Sequence, residues 1–204
     1  MKILSSQYLK GAAKFEDCVM FDIDQIAVCG KSNVGKSSFI NTLCGDGKLA
    51  RTGKLPGRTR LINYFIINDK KPNSFVLCDL PGYGFAKVSD AEKVKWSVLI
   101  EKYFASNMAK HIMFLVDIRH SPTKEDQQMM KYLYVNNCPF TIVATKADKV
   151  SKSQVKNRLR SIANELGVGI DNMMAFSSLT GFGKEQLLNK IEQILTVVPQ
   201  EIDA

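Results

Sequence analysis

No stretch of this 204-residue sequence is long and apolar enough to span a membrane. Its opening residues, Met-Lys-Ile-Leu-Ser-Ser-Gln-Tyr, hold no continuous apolar run of the kind a secretory signal requires. Cysteine is sparse and scattered. The five stand at positions 18, 29, 44, 78 and 138, an odd number with no Cys-x-x-Cys pair, which excludes a disulfide framework or a zinc site and points to a reducing cytoplasm. Cys29 and Cys78 end apolar runs and read as small buried residues. Histidine is limited to His111 and His120. There is no internal repeat and no low-complexity segment. Acidic residues are missing from the whole stretch Gly47 to Asn68, which carries Lys48, Arg51, Lys54, Arg58 and Arg60. A second basic cluster comprises Lys146, Lys149, Lys152, Lys156, Arg158 and Arg160. The net charge of +8 favours an anionic partner, although most charge runs are solvated surface.

Against these absences, residues 30 to 37 read Gly-Lys-Ser-Asn-Val-Gly-Lys-Ser and fit G-x-x-x-x-G-K-[ST]. Backbone N–H groups of such a loop cradle phosphates, so Gly30, Lys31, Ser32, Asn33, Val34 and Gly35 are candidate nucleotide contacts. Lys36 is placed to reach the β- and γ-phosphates, and the Ser37 hydroxyl to bind Mg²⁺. The apolar run Ile26–Cys29 precedes the loop, and Ser37 to Leu43 reads as a helix whose N-terminus favours anions.

Strand-like runs occur at 26–29, 61–68, 74–79, 112–117, 140–145 and 173–177. Most are continuously apolar, as strands covered on both faces should be. Only five residues separate 61–68 from 74–79, too few for a crossover, so these two form an antiparallel hairpin. Helical stripes run through Trp96, Leu99, Ile100 and Tyr103, through Val155, Leu159, Ile162, Ala163 and Leu166, and through Leu187, Leu188, Ile191, Ile194 and Leu195. Ser89-x-x-Glu92 and Ser151-x-x-Gln154 read as capping boxes. The expected fold is a three-layer α/β domain over residues 22–198, with a six-stranded, mostly parallel sheet and one antiparallel edge strand. Residues 1–21 are expected to be a loosely attached extension, and 199–204 a short tail.

Three further segments select the ligand. Asp79-Leu80-Pro81-Gly82 gives D-x-x-G at a strand end, where the aspartate can hold Mg²⁺ and the glycine N–H can meet a γ-phosphate. Thr145-Lys146-Ala147-Asp148 is similar to the N-K-x-D sequence of GTPases. Its carboxylate can accept from the two N–H donors on the guanine edge, a pair that adenine lacks. Phe176-Ser177-Ser178 ends the last strand, where GTPases place a backbone contact to the base. In the segment Gly57-Arg58-Thr59-Arg60-Leu61, Thr59 is the candidate for a second Mg²⁺-binding hydroxyl, ahead of Thr52.

Together these residues resemble the EngB (YsxC/YihA) family of bacterial ribosome-assembly GTP-binding proteins, in the Era-like branch of translation-associated GTPases. The stretches that carry the resemblance are the phosphate loop, Pro-Gly-Arg-Thr, Asp-Leu-Pro-Gly-Tyr-Gly-Phe-Ala, Asp117-Ile-Arg-His-Ser-Pro122 and Thr-Lys-Ala-Asp. The chain departs from the family habit at Leu55 and Arg60, where Thr and Gln are common. The resemblance implies a single Ras-like domain that binds GTP, GDP and Mg²⁺ and works as a monomer on the large ribosomal subunit and its rRNA, with a downstream effect on cell division and septation. It also makes Asn33 a candidate K⁺ ligand, as in potassium-activated members of the branch.

For catalysis, Lys36, Thr59, Gly82 and Asn33 are the candidate groups. Tyr83 occupies the place where Ras-type enzymes carry a water-orienting glutamine and cannot do that work, and His120 reads as a turn residue, so hydrolysis is expected to be as slow as about 10⁻⁴ to 10⁻³ s⁻¹. Two alternatives stay open at this point. One is a nucleotide-gated RNA-binding module with negligible turnover, and the other is an ATP-using P-loop kinase.

Overall fold

The computed structural model describes residues 1–51, 61–84 and 90–197. Seven strands form one sheet: β1 (Ser6–Ala12), β2 (Gln25–Gly30), β3 (Ile62–Ile67), β4 (Phe75–Asp79), β5 (His111–Asp117), β6 (Phe140–Thr145) and β7 (Met173–Ala175). They lie in the order β1-β3-β4-β2-β5-β6-β7. The helices are α1 (Lys36–Cys44), α2 (Asp90–Ala105), α3 (Lys124–Val135), α4 (Lys152–Leu166) and α5 (Lys184–Thr196). Among the described residues, no helix is long and apolar enough to cross a membrane.

The apolar strands are buried on both faces because two helical layers cover them. In β2, Ile26 and Val28 pack with α1 and α5 through Phe39, Ile40, Leu187 and Ile191. Ala27 and Cys29 face the other way, towards Leu99, Tyr103, Met129 and Ile162 of α2, α3 and α4. The three helical stripes read from the sequence supply Leu99, Tyr103, Ile162, Leu187 and Ile191 among these contacts, while Phe39, Ile40 and Met129 come from α1 and α3.

The sheet corrects two expectations. It has seven strands rather than six, because the N-terminal segment expected to be loosely attached contributes β1, paired antiparallel to β3 with a register shift between Tyr8 and Lys10. The reversed strand is β3, antiparallel to both β1 and β4, so it lies one place in from the edge. Residues Ser6 to Lys10 are largely exposed, so β1 is held by ladder hydrogen bonds rather than by an apolar face, and it leaves no periodic signal to read. The asparagine after β3 secures the junction: Asn68 Oδ1 accepts from the Leu4 N–H (2.7 Å) and its Nδ2 donates to Lys2 O (2.9 Å).

Ser151 is the N-cap of α4, but its hydroxyl lies 3.1 Å from the Ser153 hydroxyl and the expected capping box does not form. The box that does form is at α3. Asp126 N–H donates to Thr123 Oγ1, and Thr123 N–H donates to Asp126 Oδ2 (2.8 Å). Ser89 of the other expected box lies outside the described residues, as does the expected tail at 199–204.

At the end of the sheet where β5 begins, His111 is buried with its Nε2 2.9 Å from Thr141 Oγ1, and burial pulls the imidazole down to about 4. The unfolded chain takes up a proton near pH 6.5 that the folded protein resists until about 4. Stability should therefore fall as pH drops through that window, by up to about 3 kcal/mol. Urea unfolding from pH 7 to 4 measures this, and His111→Gln should show a smaller loss over the same range.

Candidate functional site

The phosphate-loop residues connect β2 to α1 at the carboxyl ends of the parallel strands, where open α/β sheets bind ligands. Asn33 takes φ 63° and Gly35 φ 110°, left-handed conformations that asparagine and glycine tolerate best. Gly30 is fixed by space, since a Cβ there would stand 2.7 Å from Leu115 O on β5.

Two neighbouring segments tie this loop from outside. Ser32 N–H donates to Tyr83 O (2.8 Å), the Ser32 hydroxyl donates to the same carbonyl (3.0 Å), and Lys31 and Tyr83 form a parallel bridge. Thr145 Oγ1 lies 2.7 Å from Val34 O and 3.0 Å from Val116 O, so its one proton serves either carbonyl. Lys146, itself at φ 61°, donates from Nζ to Asn33 O (2.8 Å) and to Asp117 Oδ2 (2.9 Å). Asp117 in turn accepts from Arg119 Nε and Nη2 at 2.9 and 2.7 Å. Burial alone would raise the Asp117 carboxyl, but the hydrogen bonds from Arg119 and Lys146 hold it well below the usual carboxylate range.

Inside the loop, Lys36 and Asp79 face each other's field without pairing. Lys36 Nζ reaches Gly30 O at 3.4 Å. Burial pulls its ammonium down, while the Asp79 charge works the other way. Asp79 ends β4 beside Val28, its Oδ1 is buried with no hydrogen-bond partner, and burial pushes the carboxyl up to about 6 against the pull of Lys36. Gly82 closes the group, since a Cβ on it would stand 2.7 Å from Lys36 Nζ and 3.2 Å from Ser32 N. Between them, Leu80 is buried and Pro81 O accepts from Trp96 Nε1 at 3.1 Å.

On the far side, Asp148 accepts from Ser177 Oγ at 2.7 Å and lies 3.4 Å from Lys149 Nζ. The Ser177 hydrogen bond keeps its carboxyl low, so it is an ionised acceptor. Ala147 N–H donates to Phe176 O (3.0 Å), and Thr42 Oγ1 donates to Ser178 O (3.1 Å), joining the two expected base-reading segments to each other and to α1. The structure thus assembles the described candidates around one loop. Gly57, Arg58, Thr59, Arg60 and Thr52 lie outside the described residues, and Leu61 is exposed just before β3. His120 is exposed in the turn after β5, its N–H on Asp117 O at 3.2 Å.

Comparison with known proteins agrees with this geometry. Residues 25–146 match the family described as 50S ribosome-binding GTPase. A probable GTP-binding protein EngB of Fusobacterium nucleatum is 42% identical over 96% of this chain and 99% of its own. A probable GTP-binding protein EngB of Clostridium perfringens strain 13 is 41% identical over 93% of this chain and 95% of its own. The chain belongs to the EngB family of GTP-binding proteins. It is a P-loop GTPase. Among solved structures, a probable EngB superimposes with TM-score 0.68 at 23% identity, covering 84% of this chain and 98% of that one. A single-substitution variant of Era from Aquifex aeolicus bound to GDP and AlF4⁻ also gives 0.68, at 21% identity over 87% of this chain and 58% of that one. Both share the Ras-like fold of this EngB-family chain.

Sequence reasoning found the strand-end motifs but missed what Tyr83 does. Its hydroxyl donates to buried Asp126 Oδ1 (2.5 Å), and its ring meets Trp96 edge-on at 6.1 Å. The residue fastens the D-x-x-G turn to α3. The Thr123-x-x-Asp126 spacing was the available signal, though nothing in it named Tyr83 as the partner. Tyr83→Phe should leave Asp126 short of a donor and cost about 1–3 kcal/mol in chemical denaturation. The preference for GTP over ATP should not change, since the guanine side is untouched. A double-mutant cycle with Asp126→Asn measures the coupling.

Proposed function

We propose that this GTPase is a nucleotide-operated switch in late assembly of the bacterial large ribosomal subunit. It acts as a cytoplasmic monomer, and normal cell division and septation depend on it through ribosome supply. The supports are the matched family's description as 50S ribosome-binding, the net charge of +8, and the braced Asp148 carboxylate, which carries the choice of nucleotide.

In this reading Asp148 accepts from the guanine N–H pair while Ser177 keeps it ionised and oriented. Lys36 and the loop N–H groups bind the phosphates, and Gly82 N–H meets the γ-phosphate. The orphaned Asp79 oxygen fits a divalent cation: Asp79, Ser37 and Thr59 would hold Mg²⁺, which when bound supplies charge neutralisation at the β- and γ-oxygens. Water attacks the γ-phosphorus and GDP leaves. With the Tyr83 hydroxyl committed to Asp126, no glutamine-like group orients that water from position 83, which favours slow intrinsic turnover. Asn33, exposed at the loop apex, is the K⁺-ligand candidate.

Asp148→Asn should move preference from GTP towards xanthosine triphosphate, read by competition against a fluorescent nucleotide. ATP binding as tight as GTP binding in the wild type would sink the guanine assignment and restore the kinase alternative. Asn33→Ala should abolish a K⁺-over-Na⁺ rate difference; a difference that survives the change removes Asn33 from the mechanism. Large subunits should pellet more of the protein with a non-hydrolysable GTP analogue than with GDP, and equal pelleting argues against a switch.

A further inference from the structure

The basic cluster at 146–160 separates, in the fold, into used and unused charges. Lys146 is spent on Asn33 O and Asp117, and Lys149 lies beside Asp148. Arg158 donates through Nε to Ile118 O at 3.0 Å and through Nη2 to Arg119 O. That flank of α4 also carries Ser161 and Glu165, the latter accepting from Ser161 Oγ and Ser121 Oγ at 3.0 and 3.2 Å, so it is turned to residues 118–121. Lys152, Lys156 and Arg160 recur at i, i+4 and i+8 on the other flank and are all exposed. Among the described residues, none of the three meets a carboxylate within 4 Å.

This arrangement is unfavourable for an isolated helix on two counts. Like charges at i, i+4 destabilise by about 0.2–0.5 kcal/mol per pair, and the stripe contains two such pairs, 152/156 and 156/160. Lys152 also opens the helix, where the dipole disfavours cations, and α4 has no acidic residue in its first turn. No Asp or Glu occurs from Lys149 to Asn164 to relieve either cost. Folding does not explain three exposed, evenly spaced cations there, whereas an external polyanion does. Successive positions rise by about 6 Å along the helix, a linear array suited to a run of phosphates rather than to one small anion.

We propose that this flank of α4, through Lys152, Lys156 and Arg160, grips the phosphate backbone of RNA. The proposal rests on the ribosomal reading above and names its contact surface. The stripe begins three residues after Lys149, next to the Asp148 site, so the RNA contact and the guanine site share one loop.

The test compares Lys152→Gln/Lys156→Gln/Arg160→Gln with a control, Lys2→Gln/Lys70→Gln/Lys71→Gln, that removes the same charge from exposed positions at the opposite end of the sheet. Binding is measured to isolated large ribosomal subunits and to protein-free large-subunit rRNA across a salt series, with fluorescent-GDP affinity as the folding check. The stripe variant should bind both more weakly and lower the slope of log affinity against log salt by about 2–3, with GDP affinity unchanged. The control should keep most of the slope. Equal losses in the two variants would reduce the effect to net charge and overturn the surface. A loss on subunits but not on bare rRNA would identify an acidic ribosomal protein as the partner and overturn the RNA contact. If wild type binds neither target, the ribosomal reading itself falls; if wild type binds and the stripe variant matches it, only this surface does.

Discussion

The phosphate loop is held from behind, and the rest of the site depends on that restraint. Its outward groups, Ser32 N–H, Asn33 O and Val34 O, are bonded to Tyr83 O, Lys146 Nζ and Thr145 Oγ1 from the ends of β4 and β6. A turn with left-handed residues at positions 33 and 35 loses conformational freedom when it forms. These bonds offset that loss within the protein itself, so less ordering is left for the ligand to bring about. A preorganised cradle binds more tightly because the ordering has already occurred.

The same restraint explains the electrostatic state of the interior. Lys36 and Asp79 are both desolvated, each shifted towards its neutral form, and they do not close into an ion pair. Collapse onto one another would relieve both charges. They stay apart: Lys36 leaves from the first turn of α1 with its Nζ turned to Gly30 O, while Asp79 ends a strand held between β2 and β3. Two opposite charges kept apart in a poorly solvated space suit a ligand that carries both signs. A nucleotide phosphate with a divalent cation would be such a ligand, Lys36 facing the anion and Asp79 the cation.

What could be read in advance was whatever depends on short-range sequence. Phosphate loop, D-x-x-G, Thr-Lys-Ala-Asp and Phe-Ser-Ser each sit at a strand's end, and an apolar run followed by a turn reports that place without tertiary information. The features that escaped depend on distant partners. β1 lacks an apolar face and exists because β3 offers an unpaired edge. The Tyr83–Asp126 bond joins residues 43 apart, and the Ser32–Tyr83 contact spans 51. The basic cluster looked uniform as a string of letters; only the path of α4 separates Lys146 and Arg158, which hold loops together, from the exposed stripe.

Thr145 shows how such a partner changes the meaning of a motif. Against the asparagine usual in N-K-x-D, threonine supplies a single proton instead of two amide hydrogens. Here β6 ends with the hydroxyl at hydrogen-bond distance from both Val34 O and Val116 O, so its one proton serves either the phosphate loop or the neighbouring strand while fitting a buried site. The next residue adds the second link through Lys146 to Asn33 O. Ala147 N–H then meets Phe176 O, and Asp148 meets Ser177. Four consecutive residues therefore connect the phosphate loop to the β7 end, with the Asp148 carboxylate fixed relative to the loop.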